Sequence, residues 1–393
     1  MGRLVALASA VAALAIPGVA HASQGMLIGA AEDSAKAPTL AQAKVKMDLA
    51  KLAGLDAIRL TAQWSPGETA PPAADLASLK NAVDAADLDG VAVFLSVYPY
   101  GSSVTPLTAQ ARSEFASFAA SLASALPTVR RFIVGNEPNL NRFWMPQFGS
   151  DGSDAAAPAY EALLARTYDA LKVVSPTLTV IGGALSPRGS DLVSSSKHSP
   201  TAFIADLGLA YRRSGRTLPI MDAFSLHPYE DNSSLPPSFA HPRSTTISLA
   251  DYPKLVALLG NAFDGTAQAG SMLPIVYDEF GVQSLIPAAK AAVYEGYEPP
   301  SAHPVDEATQ GEYYAEALAL VACQPTVTGF LIFHVSDESQ LDRWQSGLFY
   351  ADDTPKSSLP VVQRAIHSLR SGGARTCTTA GAKAFAARSL AGR

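Results

Sequence analysis

The chain has 393 residues, of which 48% are hydrophobic and 16% are charged, and its formal net charge at pH 7 is −6. This composition supports a large hydrophobic core and excludes a globally disordered chain. The negative charge argues against nucleic acid as a partner, because nucleic-acid-binding surfaces are basic. The length suits one large α/β barrel or two ordinary domains.

The first 22 residues have the pattern of a signal peptide. Arg3 supplies a positive charge, residues 4–16 form an apolar run, and Ala20-His21-Ala22 matches a cleavage pattern. The run is short for a bilayer span, so an uncleaved anchor is the weaker alternative. We therefore expect a secreted protein, extracellular or in the cell envelope, with no membrane span after residues 1–22 are removed.

Apolar runs and helical patterns alternate through the first half of the remaining chain. The spacing of Thr39 and Gln42 fits a capping box, which predicts a helix that begins there and ends near Gly54. Pro138 favours an extended conformation for Glu137, the last residue of its run. Predicted strands cover residues 25–30, 56–61, 91–97 and 132–137, and helices follow the second and third of them.

The same alternation continues through the second half. Strands are predicted at residues 178–183, 221–227, 273–281 and 327–334, with helical patterns around 160–171, 203–211 and 314–321. Eight βα units predict a parallel sheet closed into a single-domain (β/α)8 TIM barrel over residues 23–370. An open doubly wound sheet is the alternative, but no Gly-x-Gly-x-x-Gly follows the first strand. Residues 371–393 are rich in Gly, Ala and Thr and are expected to form a poorly ordered tail.

Two cysteines, Cys323 and Cys377, leave two possibilities open. In an oxidising compartment they could pair and tie the tail to the preceding helix, or both could remain free thiols. Neither lies in a Cys-x-x-Cys spacing, and the chain has no His-Glu-x-x-His motif. We therefore expect no metal and no cofactor.

Two glutamates, Glu137 and Glu279, end the predicted fourth and seventh strands. Barrel active sites form at the carboxyl ends of the strands, where these two side chains would lie on roughly opposite sides of the mouth. Two carboxyls that flank a bound bond are what glycoside hydrolysis requires. In its retaining form one attacks the sugar carbon while the other protonates the leaving oxygen.

The sequence also resembles the clan A glycoside hydrolases, the "4/7" barrels, through Val134-Gly135-Asn136-Glu137-Pro138 and Tyr277-Asp278-Glu279-Phe280-Gly281. The resemblance covers residues 25–370, including the stretch 346–356 before the last helix. It implies that Glu137 is the acid/base and Glu279 the nucleophile.

The resemblance carries further roles. It implies that Asn136 binds the sugar 2-hydroxyl, that Arg59 lies beside the nucleophile and that Tyr229 holds the nucleophile carboxylate, with His227 as its partner in a His-x-Tyr pair. From the residues alone, Arg59 could equally be an interior ion-pair partner and His227 a strand cap.

The aromatic residues depart from the family pattern at one place. Many clan members end strand eight with a tryptophan that forms the floor of the sugar site, and this chain has Phe333 or His334 there. His334 is a candidate substrate contact, although a core position is the ordinary alternative. Among the three tryptophans, Trp144 is the preferred candidate for sugar stacking, because its loop directly follows Glu137. Asp278 is expected to point away from Glu279 by strand alternation and to be structural.

These features together predict a secreted retaining β-glycoside hydrolase that acts on an oligosaccharide, a polysaccharide or another glycoside. One alternative is a carbohydrate-binding protein on an inactivated hydrolase barrel, which would have no need for both glutamates. Another is a transglycosylase with the same catalytic pair, which the sequence does not distinguish from a hydrolase.

Overall fold

A computed structural model describes residues 25–371 together with Cys377. The predicted signal peptide (1–22) lies outside these residues, as does the predicted tail (371–393) except for Ser371 and Cys377. Within the described range, no helix has both the length and the apolar character needed to cross a bilayer.

Eight parallel strands close into a barrel. They are β1 (Leu27–Ala31), β2 (Ala57–Trp64), β3 (Ala92–Pro99), β4 (Arg131–Val134), β5 (Thr179–Leu185), β6 (Ala223–Leu226), β7 (Ile275–Phe280) and β8 (Val327–Phe333). Each strand pairs with the next in sequence, and β8 pairs with β1. The predicted (β/α)8 TIM barrel is confirmed.

Helices separate the strands and cover the outside of the barrel. They are α1 (Leu40–Leu52), α2 (Ala73–Asp89), α3 (Ala109–Ala125), α4 (Ala156–Val174), α5 (Pro200–Ser214), α6 (Tyr252–Phe263), α7 (Glu307–Val321) and α8 (Leu359–Arg370). The sequence prediction omitted α6, although Leu255, Leu259 and Phe263, spaced four residues apart, bury one face of it.

The start of α1 shows how local chemistry sets an element boundary. The Thr39 hydroxyl accepts a hydrogen bond from the Gln42 backbone N–H at 3.3 Å, so the predicted cap is present. The same hydroxyl donates a hydrogen bond to the side-chain oxygen of Gln42 at 2.9 Å. In a full capping box that side chain would instead bond the backbone N–H of Thr39. The helix stops at Leu52, and Gly54 takes a φ of +86°, a conformation that glycine adopts without a Cβ penalty.

The inside of the barrel is filled in layers. Its lower part is an apolar cluster contributed by alternate positions of the strands: Ala57, Phe94, Ile133, Ile181, Ala184, Ala223, Val276 and Leu331. Two residues further along β2, β3 and β7, the inward positions become Arg59, Ser96 and Asp278, all of them buried. Alternation along the strands thus places a polar layer directly above the apolar one, at the carboxyl end of the barrel.

Cys323 and Cys377 form a disulfide, which decides between the two possibilities that the sequence left open. Cys323 follows α7, and 54 residues separate the two cysteines in the chain. The bond therefore closes a loop that contains β8 and α8, the last βα unit of the barrel.

We expect loss of this disulfide to destabilise the barrel. For a loop of this length the entropy of the unfolded chain predicts a loss of about 4 kcal/mol in the free energy of unfolding. The loss is measured by denaturant unfolding of the wild type and of the Cys323→Ser/Cys377→Ser double variant, each with and without dithiothreitol. The reductant should destabilise the wild type only. Equal free energies of unfolding in all four samples would contradict a stabilising effect of the disulfide.

Candidate active site

Strand ends bring the predicted site residues together at the carboxyl face of the barrel. Arg59 extends from β2, Asn136 and Glu137 follow β4, His227 follows β6, and Glu279 lies on β7. Their side chains are linked by the hydrogen bonds and ion pairs described below.

Glu137 does not adopt the extended conformation expected before a proline. β4 ends at Val134, and Glu137 has a φ of +41°. Two backbone hydrogen bonds hold it there, one donated to Ala184 O at 2.7 Å and one accepted from Leu140 N at 2.9 Å. Such a conformation costs about 1–3 kcal/mol, and the surrounding contacts maintain it.

Arg59 contacts four side chains from three strands, namely Ser96 of β3, Asn136 after β4, and Asp278 and Glu279 of β7. Its Nη1 bonds Glu279 Oε1, and its Nη2 donates to Asn136 Oδ1 at 2.8 Å and to Ser96 Oγ at 3.1 Å. Burial would lower the pKa of Arg59, but Glu279 and then Asp278 outweigh it and raise the pKa. The guanidinium is therefore a permanent cation beside Glu279. Arg59 is an interior ion-pair partner and lies beside the predicted nucleophile, and its role in the reaction stays a prediction.

His227 lies between the two glutamates. Its Nδ1 donates to Glu137 Oε1 at 3.0 Å and lies 3.4 Å from Glu279 Oε2. The imidazole is fully buried. Burial alone would lower the pKa of His227, but the neighbouring carboxylates, led by Glu279 and Asp278, raise it to about 10. The ring is thus a cation at neutral pH.

Tyr229 supplies a second donor to Glu279. Its hydroxyl bonds Glu279 Oε2 at 3.0 Å. Burial first, and the charge of Glu279 second, raise the pKa of Tyr229 well above its ordinary value, so the phenol keeps its proton. Both oxygens of Glu279 are therefore occupied, Oε1 by Arg59 and Oε2 by Tyr229.

Asp278 does not point away from the site, contrary to the expectation from alternation. The register between β7 and β8 shifts between Tyr277 and Phe280, so the side chains of consecutive residues can face the same polar layer. Asp278 Oδ2 lies 3.4 Å from Arg59 Nε and 3.4 Å from His227 Nε2. Burial would raise the pKa of Asp278, but these two cations lower it, so Asp278 is a buried anion beneath both.

Trp144 is not a substrate contact in this structure, so that prediction is wrong. Only 1% of its surface is exposed, and its ring packs edge-on against Tyr160 at 5.8 Å. The loop after Glu137 folds back over α4 and buries the indole there. Trp344 is the tryptophan near the site, since its ring lies 4.7 Å from that of Tyr229 and 5.5 Å from that of Phe333.

His334 lies at the end of β8, but its contacts run to other groups than the glutamates. Its Nδ1 donates to Ala31 O at 2.7 Å, and its Nε2 lies 3.7 Å from Glu338. Burial would lower the pKa of His334, but Glu338 and then Glu32 raise it. The structure therefore places His334 on the β1 side of the mouth, where its role in binding stays a prediction.

Sequence reasoning missed two polar residues of β3. Ser96 accepts a hydrogen bond from Arg59, and Tyr98 follows two residues later, one residue before the end of the strand. Burial raises the pKa of Tyr98, and the positive charge of Arg59 opposes that rise. The signal available was a serine and a tyrosine at alternate positions of an otherwise apolar strand.

No group of three or more His, Cys, Asp or Glu within residues 25–371 has a geometry that could hold a metal ion. The polar layer instead contains two cations, Arg59 and His227, against three carboxyls. If one carboxyl carries a proton, positive and negative charges balance.

We expect the charge of His227 to make the stability pH-dependent. Its pKa is raised from 6.5 to about 10. The stabilisation is therefore fully present below pH 6.5 and is lost as pH rises through 10. The free energies of unfolding of the wild type and of His227→Gln are measured from pH 6 to 10.5. The difference between them should shrink by a few kcal/mol toward high pH. A difference independent of pH would contradict a charged His227.

No protein-family model and no curated protein matches the chain. Solved structures do match. A GH5_18 enzyme from Streptomyces cattleya in complex with GlcNAc aligns at a TM-score of 0.59 and 17% identity, over 88% of this chain and 80% of that chain. A GH39 enzyme from Xanthomonas axonopodis pv. citri aligns at 0.55 and 16%, over 88% and 66%. A GH39 β-xylosidase from Caulobacter crescentus aligns at 0.53 and 18%, over 86% and 70%.

At these identities the matches establish the fold, and activity has to be argued from the site. The resemblance seen in the sequence is confirmed at that level. The chain therefore shares the (β/α)8 barrel fold of these GH5_18 and GH39 structures.

Proposed function

We propose that this protein is a retaining β-glycoside hydrolase in which Glu279 is the nucleophile and Glu137 the acid/base. The observation that carries the proposal is the approach of both carboxylates to one atom. His227 Nδ1 lies 3.0 Å from a Glu137 oxygen and 3.4 Å from a Glu279 oxygen.

The separation of the two glutamates supports the retaining course. Their nearest oxygens cannot lie farther apart than the sum of those two distances. Retaining enzymes hold their carboxyl groups about 5–5.5 Å apart, whereas inverting enzymes leave about 6.5–9.5 Å for a water molecule. The bridge through His227 is compatible with the retaining separation, and the anomeric configuration of the product decides between the two courses.

The hydrogen bonds also support the assignment of roles. Glu279 receives donors on both oxygens, from Arg59 and from Tyr229, which hold its carboxyl group in place as the proposed nucleophile. Glu137 receives one donor, His227 on Oε1, and among the described residues its Oε2 has none. That oxygen is free to carry the proton that the leaving group needs.

The reaction would proceed in two displacements. A Glu279 oxygen attacks the anomeric carbon, the bond to the leaving oxygen breaks, and Glu137 gives its proton to that oxygen. Water then attacks the same carbon, Glu137 accepts the proton of the water, and the ester bond to Glu279 breaks. Glu279 loses its negative charge as the ester bond forms and regains it when that bond breaks, and Arg59 and Tyr229 stabilise the carboxylate that returns.

Asn136 is placed to orient the sugar. Its Oδ1 accepts a hydrogen bond from Arg59, which fixes the amide and leaves its N–H groups as donors. This geometry supports the role that the sequence resemblance implies, a hydrogen bond to the sugar 2-hydroxyl. Such bonds strengthen as the transition state forms.

The substrate class is a saccharide or another glycoside. The Streptomyces cattleya structures contain GlcNAc and Manβ1-4GlcNAc, and another match is a β-xylosidase. A carbohydrate-binding protein without activity is the weaker reading, because it would not require two carboxyl groups that face each other across His227.

The disulfide supports export, since such bonds persist in oxidising compartments. We therefore also propose that residues 1–22 direct secretion and are removed. N-terminal sequencing of the exported protein checks this, and an intact N-terminus would refute removal.

We expect the wild type to hydrolyse at least one member of a panel of 4-nitrophenyl β-glycosides and β-linked oligosaccharides. Glu279→Ala should lose activity by about 10⁴-fold or more, because the covalent step is removed. Azide should restore turnover of an activated substrate by Glu279→Ala and give the inverted glycosyl azide.

Glu161→Ala is the matched control, since Glu161 is also a buried glutamate but lies on α4. It should retain activity. Full activity of Glu279→Ala would refute the assigned mechanism. Sugar products joined to an added acceptor, with little free sugar, would instead indicate transglycosylation by the same pair.

A further inference from the structure

Two buried amide side chains, Asn139 and Gln147, belong to the loop that follows Glu137. They are 0% and 1% exposed, and both lie between β4 and α4. Every hydrogen bond that their side chains make runs to backbone groups of this loop or of the loop between β5 and α5. Neither side chain reaches the polar layer, so the two-displacement mechanism gives them no direct task.

Asn139 ties the turn after Glu137 to both ends of the β5–α5 loop. Its Oδ1 accepts a hydrogen bond from Ser186 N at 3.0 Å, and its Nδ2 donates to Ser186 O at 3.2 Å and to His198 O at 3.1 Å. Its backbone carbonyl accepts from His198 N at 2.9 Å. One acceptor and two donors are what a primary amide offers, so a hydroxyl or an apolar side chain cannot make the same set of bonds.

Gln147 holds the residue between Glu137 and Asn139. Its Nε2 donates to the carbonyl oxygens of Pro138 and Trp144, each at 2.9 Å. Its own backbone carbonyl accepts from Ala155 N at 3.0 Å, which attaches it to the start of α4. Both residues that follow Glu137 in the chain are therefore fixed by buried amides.

Glu137 needs such support because its backbone is strained. Its φ is +41°, and its N–H donates at 2.7 Å to the carbonyl of Ala184, which has a φ of +47°. Two residues other than glycine thus take left-handed conformations side by side at the ends of β4 and β5. Conformations of this kind persist only where the surrounding contacts over-determine them. Without those contacts, the proline that follows would favour an extended Glu137, with its carboxyl group directed elsewhere.

We propose that Asn139 and Gln147 are positioning residues for the acid/base, because they fix the backbone of the turn that aims the carboxyl group of Glu137. The inference rests on the proposed function. A general acid must lie within hydrogen-bond reach of the leaving oxygen. A displacement of about 1 Å can lower the rate about 10²-fold.

The test varies the need for a proton on the leaving group. The substrates are the 2,4-dinitrophenyl, 4-nitrophenyl and phenyl β-glycosides of glucose, xylose and mannose. Dinitrophenolate departs without a proton, whereas phenolate requires one, so only the phenyl substrate depends strongly on the acid. We expect kcat/KM of Asn139→Ala and of Gln147→Met to fall about 10- to 100-fold on the phenyl glycoside and less than about threefold on the dinitrophenyl glycoside.

Two further variants calibrate this measurement. Glu137→Ala should show the same dependence on the leaving group with a larger loss on the phenyl glycoside. Gln268→Ala is the matched structural control, because Gln268 is 1% exposed and its side chain also bonds backbone groups, just before β6 at the opposite end of the barrel. It should change kcat/KM by one common factor on all three leaving groups. A uniform loss, or none, in Asn139→Ala or Gln147→Met would overturn the role of that residue. If Asn139→Ala does not fold, Asn139→Asp replaces it, since the carboxyl group keeps the shape and the acceptor and lacks the two donors.

Failure of the proposed function gives a different result. Wild type inert on every glycoside, or equal losses of Glu137→Ala on all three leaving groups, would refute the acid/base itself. Crystal structures of the Asn139 and Gln147 variants then test the positioning alone. We expect Glu137 to leave its left-handed conformation and its 3.0 Å hydrogen bond with His227 to break. An unchanged φ of Glu137 with that bond intact would overturn the inference, whether or not the enzyme is active.

Discussion

Arg59 is the buried charge on which the site depends. It is 2% exposed, and an unpaired guanidinium at that depth would cost far more than the fold could supply. Glu279 and Asp278 on β7 provide its countercharge, and Asn136 and Ser96 accept hydrogen bonds from its Nη2. One side chain from β2 thereby fixes the positions of groups from β3, β4 and β7 around the mouth.

His227 completes this charge network from the remaining side. It contacts the same Asp278 with one nitrogen and both glutamates with the other. Two cations face three carboxyls, so the network is neutral when one carboxyl is protonated. The two glutamates differ in their partners, because Glu279 has a donor on each oxygen and Glu137 on only one. The fold thus builds an asymmetric pair of acids from two similar strand ends.

Much of this arrangement could be predicted from the sequence, because the signals are local. Alternating apolar runs give the barrel, and Glu137 and Glu279 end their runs in polar groups. Other features depend on tertiary contacts. The conformation of Glu137 is set by Ala184, a residue of another strand, and a register shift that no pattern reveals lets Glu279 face the same polar layer as Asp278. Trp144 and Trp344 both follow strands, and only the path of their loops decides which one is buried.

The loops therefore carry what distinguishes this barrel from its structural relatives. The usual tryptophan at the end of β8 is absent, and Phe333, Tyr229 and Trp344 form an aromatic wall from three different segments.

The central claim is that Glu279 becomes covalently bound to the sugar. Incubation with the 2-deoxy-2-fluoro glycoside of a sugar that the enzyme hydrolyses, followed by peptide mass spectrometry, tests it directly. We predict time-dependent inactivation and one added fluoroglycosyl group on the peptide that contains Glu279. A label on a different carboxylate, or hydrolysis with inversion of the anomeric centre and no adduct, would contradict the account.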